Sequence, residues 1–185
     1  MRNQRVRLPQ PRSNSSPLEY SRACCRHCLA VHKDSRMTDE ELVALAREAA
    51  LKAYAPYSRF HVGCAVESVD GEIVTGANME NACYRLGVCA EQSALSVAQQ
   101  AFGLDKVARI AVAGGGISQQ GISGPTVCTP CGGCRQAILE AAQLSGRHIE
   151  ILCASGDGSR VERHTIESLI PHGFGPANLA DSTPA

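Results

Sequence analysis

The chain has no tryptophan, and four tyrosines and three phenylalanines leave aromatics at only 4% of its 185 residues. Such a surface offers few rings on which unpaired bases could stack. No apolar run approaches the ~20 residues of a bilayer-spanning helix, which excludes a transmembrane segment of that kind. Net charge is missing too, since 18 Lys/Arg balance 18 Asp/Glu. The balance hides an asymmetry. Residues 1–36 hold eight basic side chains against Glu19 and Asp34, a surplus of +6, and by difference the remainder stands at −6. An acidic folded part is a poor partner for phosphates, so binding to nucleic acid is not expected.

Cysteine, by contrast, is plentiful, with ten residues. Secreted disulfide scaffolds are usually shorter, and no apolar signal-peptide core follows the Arg-rich start. Cys64 and Cys153 each sit alone in an apolar segment, where a small buried thiol is the ordinary expectation. A reducing, cytoplasmic setting follows. The length suits one domain with a proper core. Residues 1–36, basic and without periodicity, read as a disordered extension. Met37 stands just before the first folded element, so this extension reflects either a start placed too far upstream or a targeting segment. Within it, Cys24 to His32 (C-C-R-H-C-L-A-V-H) has metal-like spacing but little around it that folds. Residues 37–179 form the expected domain and 180–185 a flexible tail.

Thr38 with Glu41 is a capping box that opens a helix running to about Tyr54. A strand is expected near residues 60–68, the turn Asp70-Gly71, and a return strand over 72–76. Residues 76–86 read as irregular. A helix opens at Cys89 and runs to about Phe102, and a buried strand covers 106–113. After a Gly-rich loop, Cys131 opens another helix. Strands follow at 149–153 and 160–164. A hairpin followed by alternating helices and strands predicts an α/β layer fold with a mixed sheet.

Two short stretches carry the chemistry: V-C-A-E-Q at 88–92 and T-P-C-G-G-C-R-Q at 129–136. Cys89, Cys131 and Cys134 all fall at predicted helix N-termini, where unpaired N–H groups and the positive dipole end favour thiolate. Three thiolates on zinc leave the fourth tetrahedral position open, as in a catalytic site. Glu91 then stands beside that position without binding the metal and can relay a proton. A closed, structural zinc is the competing reading, with Cys128 or Cys83 as the fourth ligand.

The two stretches occur with A-Y-A-P-Y-S-R-F-H-V-G (53–63), T-G-A-N-M-E-N-A-C-Y (75–84) and L-I-P-H-G-F-G-P-A-N-L (169–179). Five segments in this order resemble the cytidine deaminase family of small homotetrameric nucleoside enzymes, whose zinc-and-glutamate mechanism is an established pattern. The resemblance implies a three-layer α/β/α fold with a mixed five-stranded sheet and one Zn²⁺ per chain. It implies that Cys89, Cys131 and Cys134 hold the metal, and that Glu91 relays protons among the attacking water, the pyrimidine N3 and the departing amine. Asn78 and Glu80 match residues that grip the ribose hydroxyls, and Phe60 an aromatic packing on the base. The Ala90 backbone N–H would hold the base carbonyl, and Phe174 would reach a neighbouring subunit's site. Cytidine and 2′-deoxycytidine are the implied substrates, in pyrimidine salvage. A deaminase of a modified aminopyrimidine nucleoside such as blasticidin S, or a non-enzymatic zinc module, are the alternatives. Two positions depart from the family pattern: Gln92 stands where arginine is usual, and His61 where proline or a small residue is common. Arg135 is a candidate to supply part of the charge that Gln92 lacks.

Overall fold

The computed structural model describes residues 36–180. The basic extension up to residue 35, with its Cys24–His32 spacing, and the last five residues lie outside them.

Thr38 and Glu41 form the capping box read from the sequence, with Glu41 N–H donating to Thr38 Oγ1 at 3.2 Å and Thr38 N–H to Glu41 Oε2 at 3.0 Å. They open α1 (Asp39–Ala50), which ends four residues short of the expected Tyr54. The residue before a proline avoids helical geometry, and here Ala55 precedes Pro56. Tyr54 instead donates its N–H to Asn78 O at 3.0 Å and accepts from Glu80 N–H at 2.8 Å. That tie draws the 78–80 stretch against the loop after α1.

The strands are β1 (His61–Ser68), β2 (Ile73–Ala77), β3 (Val107–Ser118), β4 (Gly121–Ser123), β5 (Glu150–Ser155) and β6 (Val161–Thr165). The longer helices are α2 (Ala90–Ala101) and α3 (Gly132–Ser145), followed by the short α4 (Ile166–Leu169) and α5 (Pro176–Ala180). Five strands run in the order β2-β1-β3-β5-β6, and β4 adds a sixth by pairing with β3. The expected count of five is corrected by this arm. β3 continues through the Gly-rich stretch to Ser118, and Ile117 pairs with Ile122 across a tight turn. The glycines 114–116 look like a breaker but occupy extended strand. β3 and β5 are parallel, joined by α3 as crossover, and the other pairs are antiparallel. The sheet is therefore mixed, as expected.

Side chains alternate across the strands, and both faces are buried. Ala65, Ala111, Ala113, Leu152 and Ala154 meet Leu42, Val43, Ala46 and Ala50 of α1. Cys64, Val66, Ile110, Val112, Ile151 and Cys153 meet α2 and α3 on the other side. The three layers are α1, the sheet, and the α2/α3 pair. Cys64 and Cys153 are the small buried thiols that their apolar surroundings suggested. The α1 side also buries charge: Arg109 Nη1 donates to Glu67 Oε2 at 3.0 Å and to Met37 O at 2.8 Å. Asp39 and Glu150 complete the ring of carboxylates around Arg109. This network locks the start of α1 to β1 and β3, far from the cysteines on α2 and α3. Among the described residues, no helix is long and apolar enough to cross a membrane.

Candidate active site and metal centre

Cys89 is the N-cap of α2 and Cys131 the N-cap of α3, each with extended backbone. An N-cap is normally Ser, Thr, Asp or Asn, whose oxygen satisfies a first-turn N–H. Neither cysteine makes such an oxygen-type cap. Cys134, one turn along α3 and fully buried, faces the same space because i and i+3 share a helix face.

Packing of α2 beside α3 brings the three sulfurs together. Cys89 Sγ lies 3.8 Å from Cys131 Sγ, and Cys131 Sγ lies 3.5 Å from Cys134 Sγ. Zn–S bonds of ~2.3 Å in tetrahedral geometry put thiolate sulfurs about 3.8 Å apart, so the donors fit zinc by type and spacing. Among the described residues, these three form the group whose ligand atoms all lie within 4.8 Å of one another. Cys128 and Cys83, the candidate fourth ligands, are outside it. The site offers three cysteine sulfurs, and a tetrahedral metal held by them would keep a fourth position for another ligand.

Electrostatics separate the thiols. Burial would raise the pKa of Cys131, but backbone N–H groups of Cys134 and Gly133 and the neighbouring sulfurs bring it below an ordinary thiol. Burial raises that of Cys134, with the Glu91 charge adding to it, and burial likewise raises that of Cys89. A dication held among them would override these shifts, because it favours every coordinating thiolate. Cys128 is pushed up to about 11 by burial and by Glu91, so it stays a neutral thiol. Glu91, only 4% exposed on the first turn of α2, has its own pKa raised by burial. A buried carboxyl whose proton affinity is raised in this way suits proton relay.

Among the remaining expected site residues, the 78–80 stretch lies beside the same helix start. Met79 and Val88 exchange backbone hydrogen bonds at 2.9 Å each, which sets the 78–80 stretch one residue from Cys89. Asn78 clamps the entry to β1: Oδ1 accepts from Val62 N–H at 2.8 Å and Nδ2 donates to Phe60 O at 3.0 Å. One amide hydrogen and one lone pair remain for a ligand. Phe60, 46% exposed, precedes β1, which begins at His61, so it is not the buried core residue that a strand position would suggest. A Cβ built on Gly114 would fall 2.8 Å from Cys128 Sγ and 3.0 Å from the Phe60 ring, so both side chains pack over that glycine. Ala90 is the first residue of α2, where N–H groups have no helical acceptor.

Glu80 accepts from Tyr57 N–H at 2.9 Å and Ser58 N–H at 3.2 Å. The Ser58 hydroxyl and these amides hold its carboxyl below the usual carboxylate range. It lines an open groove of about 420 Å³ with Tyr57, Ser58, Asn81, Tyr84 and Gly87. Tyr57, Ser58 and Tyr84 went unassigned in the sequence, although A-P-Y-S and N-A-C-Y carried them; loop residues leave no periodicity to read. Phe174 does not join this groove. It sits 62% exposed on the segment after α4. Arg135 donates to Pro130 O and Leu169 O, both at 2.8 Å, so its guanidinium is held by carbonyls and makes no hydrogen bond to a thiol sulfur. The Gln92 amide itself faces Gly133 in the first turn of α3.

A mixed three-layer α/β fold with three cysteine sulfurs, gathered from the starts of α2 and α3 beside a buried glutamate, defines a zinc-dependent hydrolase. The profile of the family described as the cytidine and deoxycytidylate deaminase zinc-binding region matches residues 36–145, and the chain belongs to that family. It is 33% identical over 146 residues to a cytidine deaminase of Sporosarcina psychrophila, covering 78% of this chain and 96% of the relative. It is 34% identical over 145 residues to that of Halalkalibacterium halodurans, covering 78% and 100%. The crystal structure of cytidine deaminase from Burkholderia pseudomallei superposes with a TM-score of 0.64 at 37% identity, covering 75% of this chain and all of that one.

Proposed function

We propose that this enzyme hydrolytically deaminates cytidine and 2′-deoxycytidine to uridine and 2′-deoxyuridine with release of ammonia, as a step of pyrimidine salvage in the cytoplasm. The observation that carries the proposal is the buried Glu91 beside a three-thiolate cluster that no fourth described cysteine closes. Cys89, Cys131 and Cys134 hold zinc, which when bound supplies a Lewis acid that makes water nucleophilic near neutral pH.

The chain's own groups carry the rest. Glu91 accepts a proton from the attacking water and delivers it to the pyrimidine N3, so the ring takes up the electron pair displaced when the C4–O bond forms. It then passes the second proton of that water to the exocyclic nitrogen. The C4–N bond breaks, ammonia leaves, and the C4 carbonyl of the uracil ring is formed. The Ala90 N–H orients the base through its carbonyl. Phe60 packs on the ring, and Asn78 and Glu80 take ribose hydroxyls. Asn78 does double duty, since the side chain that meets the sugar also sets the backbone on either side of His61.

Phe174 lies outside this chain's groove, so its assignment requires another copy. Tyr54, Tyr57, Phe60, Met79, Tyr84 and Leu86 are all more than 45% exposed. An apolar patch of that extent around a site favours a covered surface. A homotetramer with sites shared between subunits accounts for both.

The test is an ultraviolet deamination assay on both nucleosides, with zinc measured on the same sample. Falling absorbance with about one zinc per chain is expected. Zinc without turnover of either nucleoside would overturn the substrate assignment.

A further inference from the structure

The C-terminal segment is seated on α3 at several points, and these have no part in the chemistry described above. Gln136 Nε2 donates to Phe174 O at 2.6 Å, and Gln143 Oε1 accepts from Ala177 N–H at 3.0 Å. Arg135 Nη1 holds Leu169 O at 2.8 Å, just before the segment begins. His172 has φ of 60°, a left-handed conformation uncommon for a residue with a side chain, and it turns the chain back onto the helix. The glycines on either side of Phe174 allow the closest approach. A Cβ on Gly173 would come within 2.5 Å of Leu139 Cδ2, and one on Gly175 within 2.4 Å of Gln143 Oε1. With the backbone held close to the helix at both glycines, the Phe174 side chain is left 62% exposed.

We infer that Gln136, supported by Arg135, is a positioning residue that holds Phe174 for the active site of a second copy of this chain. The inference rests on the reading that Phe174 serves a neighbouring copy's site. Gln136 follows Cys134 by two residues, so one rigid helix carries two metal ligands at its start and, within the next turn, the anchor for the aromatic it lends. A backbone carbonyl accepts this bond, so the requirement at position 136 is a long side chain with an N–H donor.

The experiment compares Gln136→Leu, Gln136→Lys, Phe174→Ala and the Gln136→Leu/Phe174→Ala double variant. Each is measured for KM, kcat, zinc content and hydrogen exchange over residues 170–180. Gln136→Leu is expected to raise KM several-fold, up to about tenfold for one lost hydrogen bond, with kcat and zinc unchanged. Exchange over 170–180 should speed up. Gln136→Lys restores a donor and is expected to recover most of the KM. Phe174→Ala should raise KM at least as much, and the double variant should be no worse than Phe174→Ala. If Phe174→Ala matters while Gln136→Leu behaves like the parent, the positioning role falls and the reading of Phe174 stands. If Phe174→Ala leaves KM unchanged, that reading falls and the positioning role with it. Loss of zinc or of kcat in Gln136→Leu would make the residue merely structural and overturn the inference.

Discussion

Two carboxyl groups are buried on opposite sides of one sheet, and their surroundings differ. Glu67, 1% exposed on the α1 side, faces Arg109 at 3.0 Å and accepts the Met37 N–H at 3.0 Å. Glu91, 4% exposed on the α2/α3 side, has no cation within ion-pair distance among the described residues, only thiols and its own helix start. A buried carboxyl tied to a guanidinium and a backbone N–H joins neighbouring elements, and such a group locks structure. A buried carboxyl left without a cation has its proton affinity raised by burial, a cost to the fold that fits the proton-relay role proposed for it. Both groups are equally hidden. The partners decide which is scaffold and which is chemistry.

The comparison can be broken in several ways, beginning with the largest effect. Glu91→Gln removes the proton carrier but no metal ligand. Turnover should fall roughly 10²–10⁴-fold or more while zinc content and melting temperature hold. Retained activity would make Glu91 scaffold like Glu67. Arg109→Leu should do the reverse. It leaves Glu67 buried without its cation, while the partly exposed Asp39 and Glu150 keep Arg163, at a cost of about 3–5 kcal/mol and a melting temperature lower by on the order of 10 °C. The kcat of the folded fraction should stay near the parent's, and a selective loss of kcat with unchanged melting would tie the two sides of the sheet together.

Smaller effects sharpen the contrast. Three thiolates and Zn²⁺ sum to −1, and Gln92 beside the first turn of α3 brings no charge to offset it. Gln92→Arg should therefore change kcat or the rate of zinc loss to a chelator by a few-fold, up to roughly tenfold. Identical kinetics and metal retention would show that the site does not need the guanidinium. The smallest change is Thr38→Ala, which removes the α1 cap and should cost about 1 kcal/mol with no effect on KM or kcat.

Parts of this molecule were open to reading because they depend on neighbours in the chain. The capping box at Thr38 and the Asp70-Gly71 turn obey short-range rules, and both stand where expected. Cys131 and Cys134 are one helical turn apart, so their shared direction follows from α-helical geometry alone. The errors came where distant partners outbid local pattern. α1 stops at Ala50 because Tyr54 pairs with the 78–80 stretch, and Gly114–Gly116 stay in β3 although glycines suggest a loop.

The sequence by itself determined the ligand types, their placement at helix starts, the acid beside them and the family to which the order of motifs belongs. Tertiary structure alone brought Cys89 to 3.8 Å from a cysteine 42 residues away. It also left Cys128 outside the cluster, although Cys128 stands as close to Cys131 in the chain as Cys134 does. The reason is physical: Cys134 lies on the helix that Cys131 caps, whereas Cys128 precedes it on extended chain, its N–H donating to Ala154 O of β5 at 3.1 Å. Equal spacing along the chain becomes equal spacing in space only within one regular element.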